Sequence, residues 1–166
     1  ASTASQVVIN VTPEVDGAVK LFGEQQVNTY EGNEQHVPVV AGLQGANDGS
    51  YVVVWRSYTQ DGDSYGIYGQ RYDAKGAAVG AEFQVNSNTL GAQVEPEVTS
   101  LANGGYVVVW TDQSGLDGSS YGVYAQIYNA SGAKVGGQFL ASTTTTSTQY
   151  EPSVVGLSDG SFVVAY

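Results

Sequence analysis

The segment Gln60-Asp61-Gly62-Asp63-Ser64-Tyr65-Gly66 carries the side chains best suited to chemistry in this chain. Asp61 and Asp63 flank a glycine, so a tight turn there would present two carboxylates. Hard cations take several oxygens from carboxylates and backbone carbonyls, which makes Ca²⁺ the ion such a loop would hold. The segment returns as Leu116-Asp117-Gly118-Ser119-Ser120-Tyr121-Gly122, with Asp117 in the place of Asp61 and Ser119 in that of Asp63. Asp61, Asp63 and Asp117 are therefore the candidate metal ligands. Asp-Gly is also an ordinary turn dipeptide whose carboxylate bonds nearby backbone, and spacing alone leaves both readings open. Tyr65 and Tyr121 are the candidate ligand-binding residues: a tyrosine offers a flat face to a sugar ring and a hydroxyl to its oxygens.

Other reactive types are sparse. With no Cys and no Met, thiolate catalysis, disulfides and Cys-based zinc sites are excluded. His36 is the single histidine and stands beside Val37-Pro38 with no triad partners in view, so it reads as a surface or strand-entry residue. Glu95 and Glu97 flank Pro96, and Glu151 precedes Pro152. Paired carboxylates are what glycoside hydrolysis needs, but these surroundings differ between copies and give no ground for pairing them. Arg56 and Arg71 are the only arginines, too few for the cluster a sialidase-like enzyme would set against a substrate carboxylate. The expectation is a chain without catalytic activity.

The net charge of −11, from 16 acidic and 5 basic residues, argues against nucleic acid and against anionic membrane surfaces. No apolar run approaches the roughly 18 residues that would cross a membrane, so no membrane insertion is expected. Asn10-Val11-Thr12 and Asn129-Ala130-Ser131 fit the glycosylation sequon, a pattern common by chance. The opening residues, Ala1 to Gln6, lack Met and any charged-then-apolar leader. They read as the start of a processed, excised or recombinant chain.

The elements that would position these residues recur. Gly49-Ser50-Tyr51-Val52-Val53-Val54-Trp55 returns as Gly104-Gly105-Tyr106-Val107-Val108-Val109-Trp110 and, weakened, as Gly160-Ser161-Phe162-Val163-Val164-Ala165-Tyr166. A fixed period of about this size marks one supersecondary unit repeated. The unbroken β-branched and aromatic run predicts a strand buried on both faces. A full unit opens with a strand from Val37 to Leu43, turns at Asn47-Asp48-Gly49, and runs through Tyr51–Trp55. It continues with Tyr65–Tyr72, a hairpin turn at Asp73-Ala74-Lys75-Gly76 and an outer strand from Glu82 to Asn86. The second unit predicts strands at 95–101, 106–110, 121–128 and 138–141, with Thr143 to Thr146 as a polar insertion after it. Tyr68 and Tyr72 recur as Tyr124 and Tyr128, and Trp55 as Trp110, which reads as packing between layers.

The fold class predicted is all-β, a β-propeller-type repeat of four-stranded antiparallel blades. A single repeat domain spans 1–166: a half blade over 1–36, blades over 37–94 and 95–150, and a half blade over 151–166. In the first half blade, 8–11 and 24–28 read as third and fourth strands with a turn at Asp16-Gly17. That makes about three blades, fewer than the roughly 4–8 of a closed ring. Two chains completing one six-bladed ring, a homodimer, is the first expectation. A piece of a longer chain is the second, and a β-sandwich or solenoid the third.

The phrases Gly-Ser-Tyr-Val-Val-Val-Trp, Asp-Gly-Asp-Ser-Tyr-Gly-Ile-Tyr-Gly-Gln-Arg-Tyr-Asp-Ala-Lys-Gly and Glu-Phe-Gln-Val-Asn resemble repeats of large bacterial secreted proteins. Those proteins are of the calcium-dependent, adhesin-type kind, and the resemblance spans Glu24 to Tyr166. It implies an extracellular propeller-like module, secreted or on the cell surface, often beside calcium-binding or adhesive domains. The Gly-Gly-x-Gly-x-Asp calcium nonapeptide of such proteins is absent. The functional expectation is a non-enzymatic binding or structural module that recognises a glycan or a protein through its blade loops. A stand-alone propeller lectin with repeated sugar sites is the alternative, and a sialidase-like glycan hydrolase the third reading.

Overall fold

The computed structural model describes residues 23–166 and the backbone of Val8–Ile9. Within these, two antiparallel four-stranded meanders form the body. The first runs β3 (Gln35–Gly42), β4 (Tyr51–Tyr58), β5 (Tyr65–Tyr72) and β6 (Ala78–Gln84). The second runs β7 (Gln93–Ser100), β8 (Tyr106–Asp112), β9 (Gly122–Tyr128) and β10 (Lys134–Leu140). Two-stranded sheets stand before and after them: β1 (Val8–Ile9) with β2 (Gln25–Gln26), and β11 (Ser153–Gly156) with β12 (Phe162–Ala165). The chain is thus all-β and propeller-like, with no sheet closed on itself among the described residues. The turn at Asp16-Gly17, the sequon at Asn10 and most of the first predicted strand lie outside the described residues.

The stacking of these sheets follows from the β-branched runs. In β4, Val52 and Val54 point to one face and Val53 and Trp55 to the other, and all four are buried. Val52, Val54 and Ile67 meet Val98, Tyr106, Val108 and Trp110 of the second meander in one core. Val53, Trp55, Tyr68 and Tyr72 close a second core over Val27. Val107, Val109 and Ala125 close a third against Val154, Phe162 and Val164. Tyrosines thicken these layers: Tyr51 stacks on Tyr72 at 5.0 Å and 13°, and Tyr106 on Tyr128 at 4.6 Å and 9°. Burial pushes the Tyr72 hydroxyl up to about 12. The predicted packing role of the recurring tyrosines and tryptophans is what these layers display.

Several boundaries differ from the sequence reading. The outer strands begin at Ala78 and Lys134, earlier than predicted, because the hairpins turn tightly and pairing resumes at once (Tyr72 with Ala78, Tyr128 with Lys134). Asp73 Oδ1 accepts the N–H groups of Lys75 (2.8 Å) and Ala77 (2.9 Å), and Asn129 Oδ1 those of Ser131 and Ala133, both at 3.0 Å. These backbone donors hold the Asp73 carboxyl below its usual range. Gly80 and Gly136, at φ 75° and 70°, then supply the bulge that shifts register.

Thr143 to Thr146 is no insertion. Three linkers of one design join the sheets, each bracketed by a buried residue and a glutamine seven positions on: Asn28 and Gln35, Asn86 and Gln93, Ser142 and Gln149. Each glutamine amide donates back to linker carbonyls, Gly32, Leu90 and Thr146 among them. In the first two linkers the asparagine amide also donates to the glutamine Oε1, at 3.1 and 2.9 Å. In the third, serine is too short to reach, and Ser142 Oγ and Gln149 Oε1 are both buried without a partner.

Candidate functional site

The acidic loops hold themselves together. Asp61 Oδ1 faces the N–H of Asp63 at 3.4 Å, and Asp61 Oδ2 accepts from the Gln84 amide at 3.3 Å. Asp117 Oδ1 accepts the N–H of Ser119 at 2.9 Å. The glycine after each tyrosine explains itself here: a Cβ on Gly66 would stand 2.6 Å from Asp61 Oδ2, and one on Gly122 2.9 Å from Asp117 Oδ2. Asp63 turns away from Asp61 and ties its loop to the next linker, accepting the Gly91 N–H at 2.9 Å. Ser119 makes the matching tie to the Ser147 carbonyl at 2.7 Å. Asp61 and Asp117 lie in loops of different meanders. Among the described residues no group of three or more carboxylate or imidazole side chains comes together to hold a metal.

Tyr65 sits in a richer setting. It pairs directly with Tyr58 across β4 and β5, and the two rings lie 4.9 Å apart at 47°. Arg56, two residues before Tyr58 on the same face, lays its guanidinium 4.7 Å from the centre of the Tyr65 ring. Glu34 Oε2 accepts from the Tyr65 hydroxyl at 3.4 Å and pairs with His36 Nε2 at 3.1 Å. Tyr58 is 40 % exposed, and the side chains of His36 and Glu34 43 % and 60 %. Arg56 and Tyr58 continue the face of Val52 and Val54 past the end of the core, so their side chains rise at the rim of the first meander. Two aromatic rings, a cation and a hydrogen-bonding carboxylate thus share one surface.

Tyr121 has no such company. Where Tyr65 meets Glu34, His36, Arg56 and Tyr58, the repeat places Ala92, Val94, Thr111 and Gln113. The cluster is built once. Arg56, Tyr58, His36 and Glu34 do not recur, so a reading of the repeat passes over them. The signal was the departure of Arg56-Ser57-Tyr58 from Thr111-Asp112-Gln113.

A second concave feature gathers the first strands of successive sheets, since β7 lies against both β3 and β11. Val37, Glu95 and Glu151 each precede a proline and each take a left-handed backbone, φ 54°, 55° and 52°. That is costly for non-glycine residues and most so for a β-branched one. With Pro96, Glu97 and Pro152 they line a cavity of about 220 Å³. Glu95 Oε2 accepts the Thr111 hydroxyl at 2.7 Å and the Glu151 N–H at 2.9 Å, and burial raises the Glu97 carboxyl above its usual range. Spacing alone offered no reason to group these glutamates; the side-by-side first strands bring them to one cavity.

No protein-family model matches the chain, and no curated protein matches it significantly. Among solved structures it is similar to an endo-arabinase from Bacteroides thetaiotaomicron, at 14 % identity and a TM-score of 0.51. The likeness covers 82 % of this chain and 52 % of the endo-arabinase, so the chain spans about half that enzyme's length. At this identity the likeness shows the fold alone. It does correct one expectation. The stacked-sheet architecture was read as that of a non-enzyme, yet it is similar to that of a glycan-active enzyme, so excluding catalysis does not stand.

Proposed function

We propose that this chain is an extracellular glycan-recognition module whose site is the rim cluster of Tyr58, Tyr65 and Arg56 with Glu34 and His36. One observation carries the reading: the exposed Tyr58 ring, tilted against the half-buried Tyr65, stands beside charged groups at the end of the sheet. Sugar rings present an apolar face to an aromatic ring and hydroxyls to neighbouring polar groups, which matches this mixture. A glycan array on the whole chain, followed by titration of each hit against Tyr58→Ala and Tyr65→Ala, tests it. Hits that weaken about tenfold or more in both variants, ~1.4 kcal/mol each, support the reading. An array without hits, or hits indifferent to both substitutions, overturns it.

A second reading, cleavage of a glycan at the cavity of Glu95, Glu97 and Glu151, is favoured by the raised Glu97 carboxyl beside a hydrogen-bonded Glu95. Two carboxyl groups at one cavity, one of them raised by burial, are the kind of pair glycoside hydrolysis uses. New reducing ends released from polysaccharides, those an endo-arabinase would cut included, and lost in Glu97→Gln, would support it. No release by the intact chain would rule it out.

A further inference from the structure

We infer that the rim cluster selects glycans bearing a carboxylate, with Arg56 as the anchor; this rests on the glycan reading above. The chain has two arginines, and the structure gives them opposite fates. Arg71 is spent on the fold: its Nη1 and Nη2 donate to the carbonyls of Ser131 (2.5 Å) and Ala130 (3.1 Å) in the second meander. The Arg56 side chain makes no hydrogen bond and no ion pair with any described residue. Its contact is the face of Tyr65, and its Nε is buried without an acceptor. The Nε of Arg71 is buried without an acceptor as well, so the difference lies in the Nη groups: those of Arg56 hold no protein acceptor and keep the donor pair that a planar carboxylate takes with two parallel bonds. Stacking on Tyr65 fixes the fork in advance, which lowers the entropy lost on binding.

The surrounding charge leaves the Arg56 guanidinium free for one carboxylate at a time. Glu34, an acid on this face, is engaged by His36 and by the Tyr65 hydroxyl and does not pair with Arg56. The rest of the chain's net charge of −11 acts at longer range, where screening over about 8 Å at physiological salt blunts it. A uronic acid unit fits the whole set: ring face on Tyr58, a hydroxyl to Glu34 or His36, carboxylate on Arg56.

The test uses the full chain and oligosaccharides of galacturonate, glucuronate and mannuronate, each beside its carboxyl-reduced counterpart of the same linkage. At least one acidic oligomer is expected to bind about tenfold or more tighter than its reduced form. Arg56→Gln should erase that preference, weakening the acidic oligomer about tenfold more than its neutral counterpart. Arg56→Lys, which keeps the charge but not the fork, should fall between, and Tyr58→Ala should weaken both. Equal binding of an acidic oligomer and its reduced form overturns the inference and leaves the glycan reading standing. So does equal weakening of both by Arg56→Gln. If none of these oligomers binds while a neutral glycan from the array does, Arg56 is not a carboxylate anchor. If nothing binds at all, both readings fall together.

Discussion

The third linker carries a built-in defect that one substitution should repair. Asn86 shows what the repaired state looks like: its amide donates to Gln93 Oε1 at 2.9 Å and to the Asn88 carbonyl at 2.8 Å, and its Oδ1 accepts the Ile67 N–H at 2.8 Å. Ser142 occupies the same place, 3 % exposed, facing a glutamine seven residues on whose Oε1 has no partner. A buried polar group left unpaired costs about 1–3 kcal/mol, and a new buried hydrogen bond adds about 1 kcal/mol, less the rotamer entropy of the added amide. Ser142→Asn should therefore stabilise by about 2 kcal/mol, which for a domain of this size raises Tm by about 4–8 °C. The mirror substitution, Asn86→Ser, should install the defect in the second linker and strand the Ile67 N–H as well, costing about 3 kcal/mol. Calorimetry or urea denaturation of both variants beside the parent chain would decide. A Tm lowered or unmoved in Ser142→Asn would mean that the third linker has no room for the amide. An Asn86→Ser protein as stable as the parent would remove the basis of the argument.

Asp61→Asn and Asp117→Ala should each lower stability by about 1 kcal/mol through lost loop bonds, equally with chelator and with millimolar Ca²⁺, because those oxygens hold backbone and amide donors. A Tm that rises with Ca²⁺ in the parent chain and not in the variants would instead restore the metal reading. Val163 lies 51 % exposed although its counterparts Val52 and Val107 are covered by a neighbouring sheet, so a second copy of the chain is expected to cover it. Light scattering should then give a mass near twice 17.3 kDa, falling to one chain in Val163→Lys; a monomeric parent would refute this. Burial raises the Glu97 carboxyl, so its ionised form opposes folding above that raised value and the penalty fades as pH falls through it. Glu97→Gln should accordingly raise Tm at pH 7 and lose the advantage near pH 4, the ordinary range of a free glutamate. A loss of stability at pH 7 would show that the carboxylate serves the fold.

The strands and their layers were legible because periodicity and burial speak the same language. Four buried β-branched or aromatic residues in a row leave a strand few places except between two sheets, and Val52 to Trp55 lies there. The packing role of Tyr72 and Tyr128 was legible for the same reason, as residues that recur in both units; their stacking on the cross-strand neighbours Tyr51 and Tyr106 was not. The left-handed backbone at Val37, Glu95 and Glu151 was not. Nothing in valine or glutamate announces a positive φ, and the proline that follows ordinarily pushes its predecessor toward extended backbone. Tertiary packing of the first strands overrides that local preference and in doing so gathers two acids from separate repeats at one cavity.

Repetition itself hid the site. A residue that recurs at every layer meets a demand every layer makes, which is packing or turn geometry, as Asp61 and Asp117 show by capping their own loops. Recognition makes its demand at one place, so its residues break the pattern. Arg56 where the next sheet has Thr111, and Tyr58 where it has Gln113, are losses from the repeat's point of view. Both stand at the rim, where the scaffold no longer dictates the side chain. Arg71 supplies the control: the same residue type, on the adjacent strand of the same meander, is consumed by carbonyls of the neighbouring sheet. An arginine that the fold does not use, held flat on a tyrosine at an exposed edge, is where the chemistry of this chain has room to act.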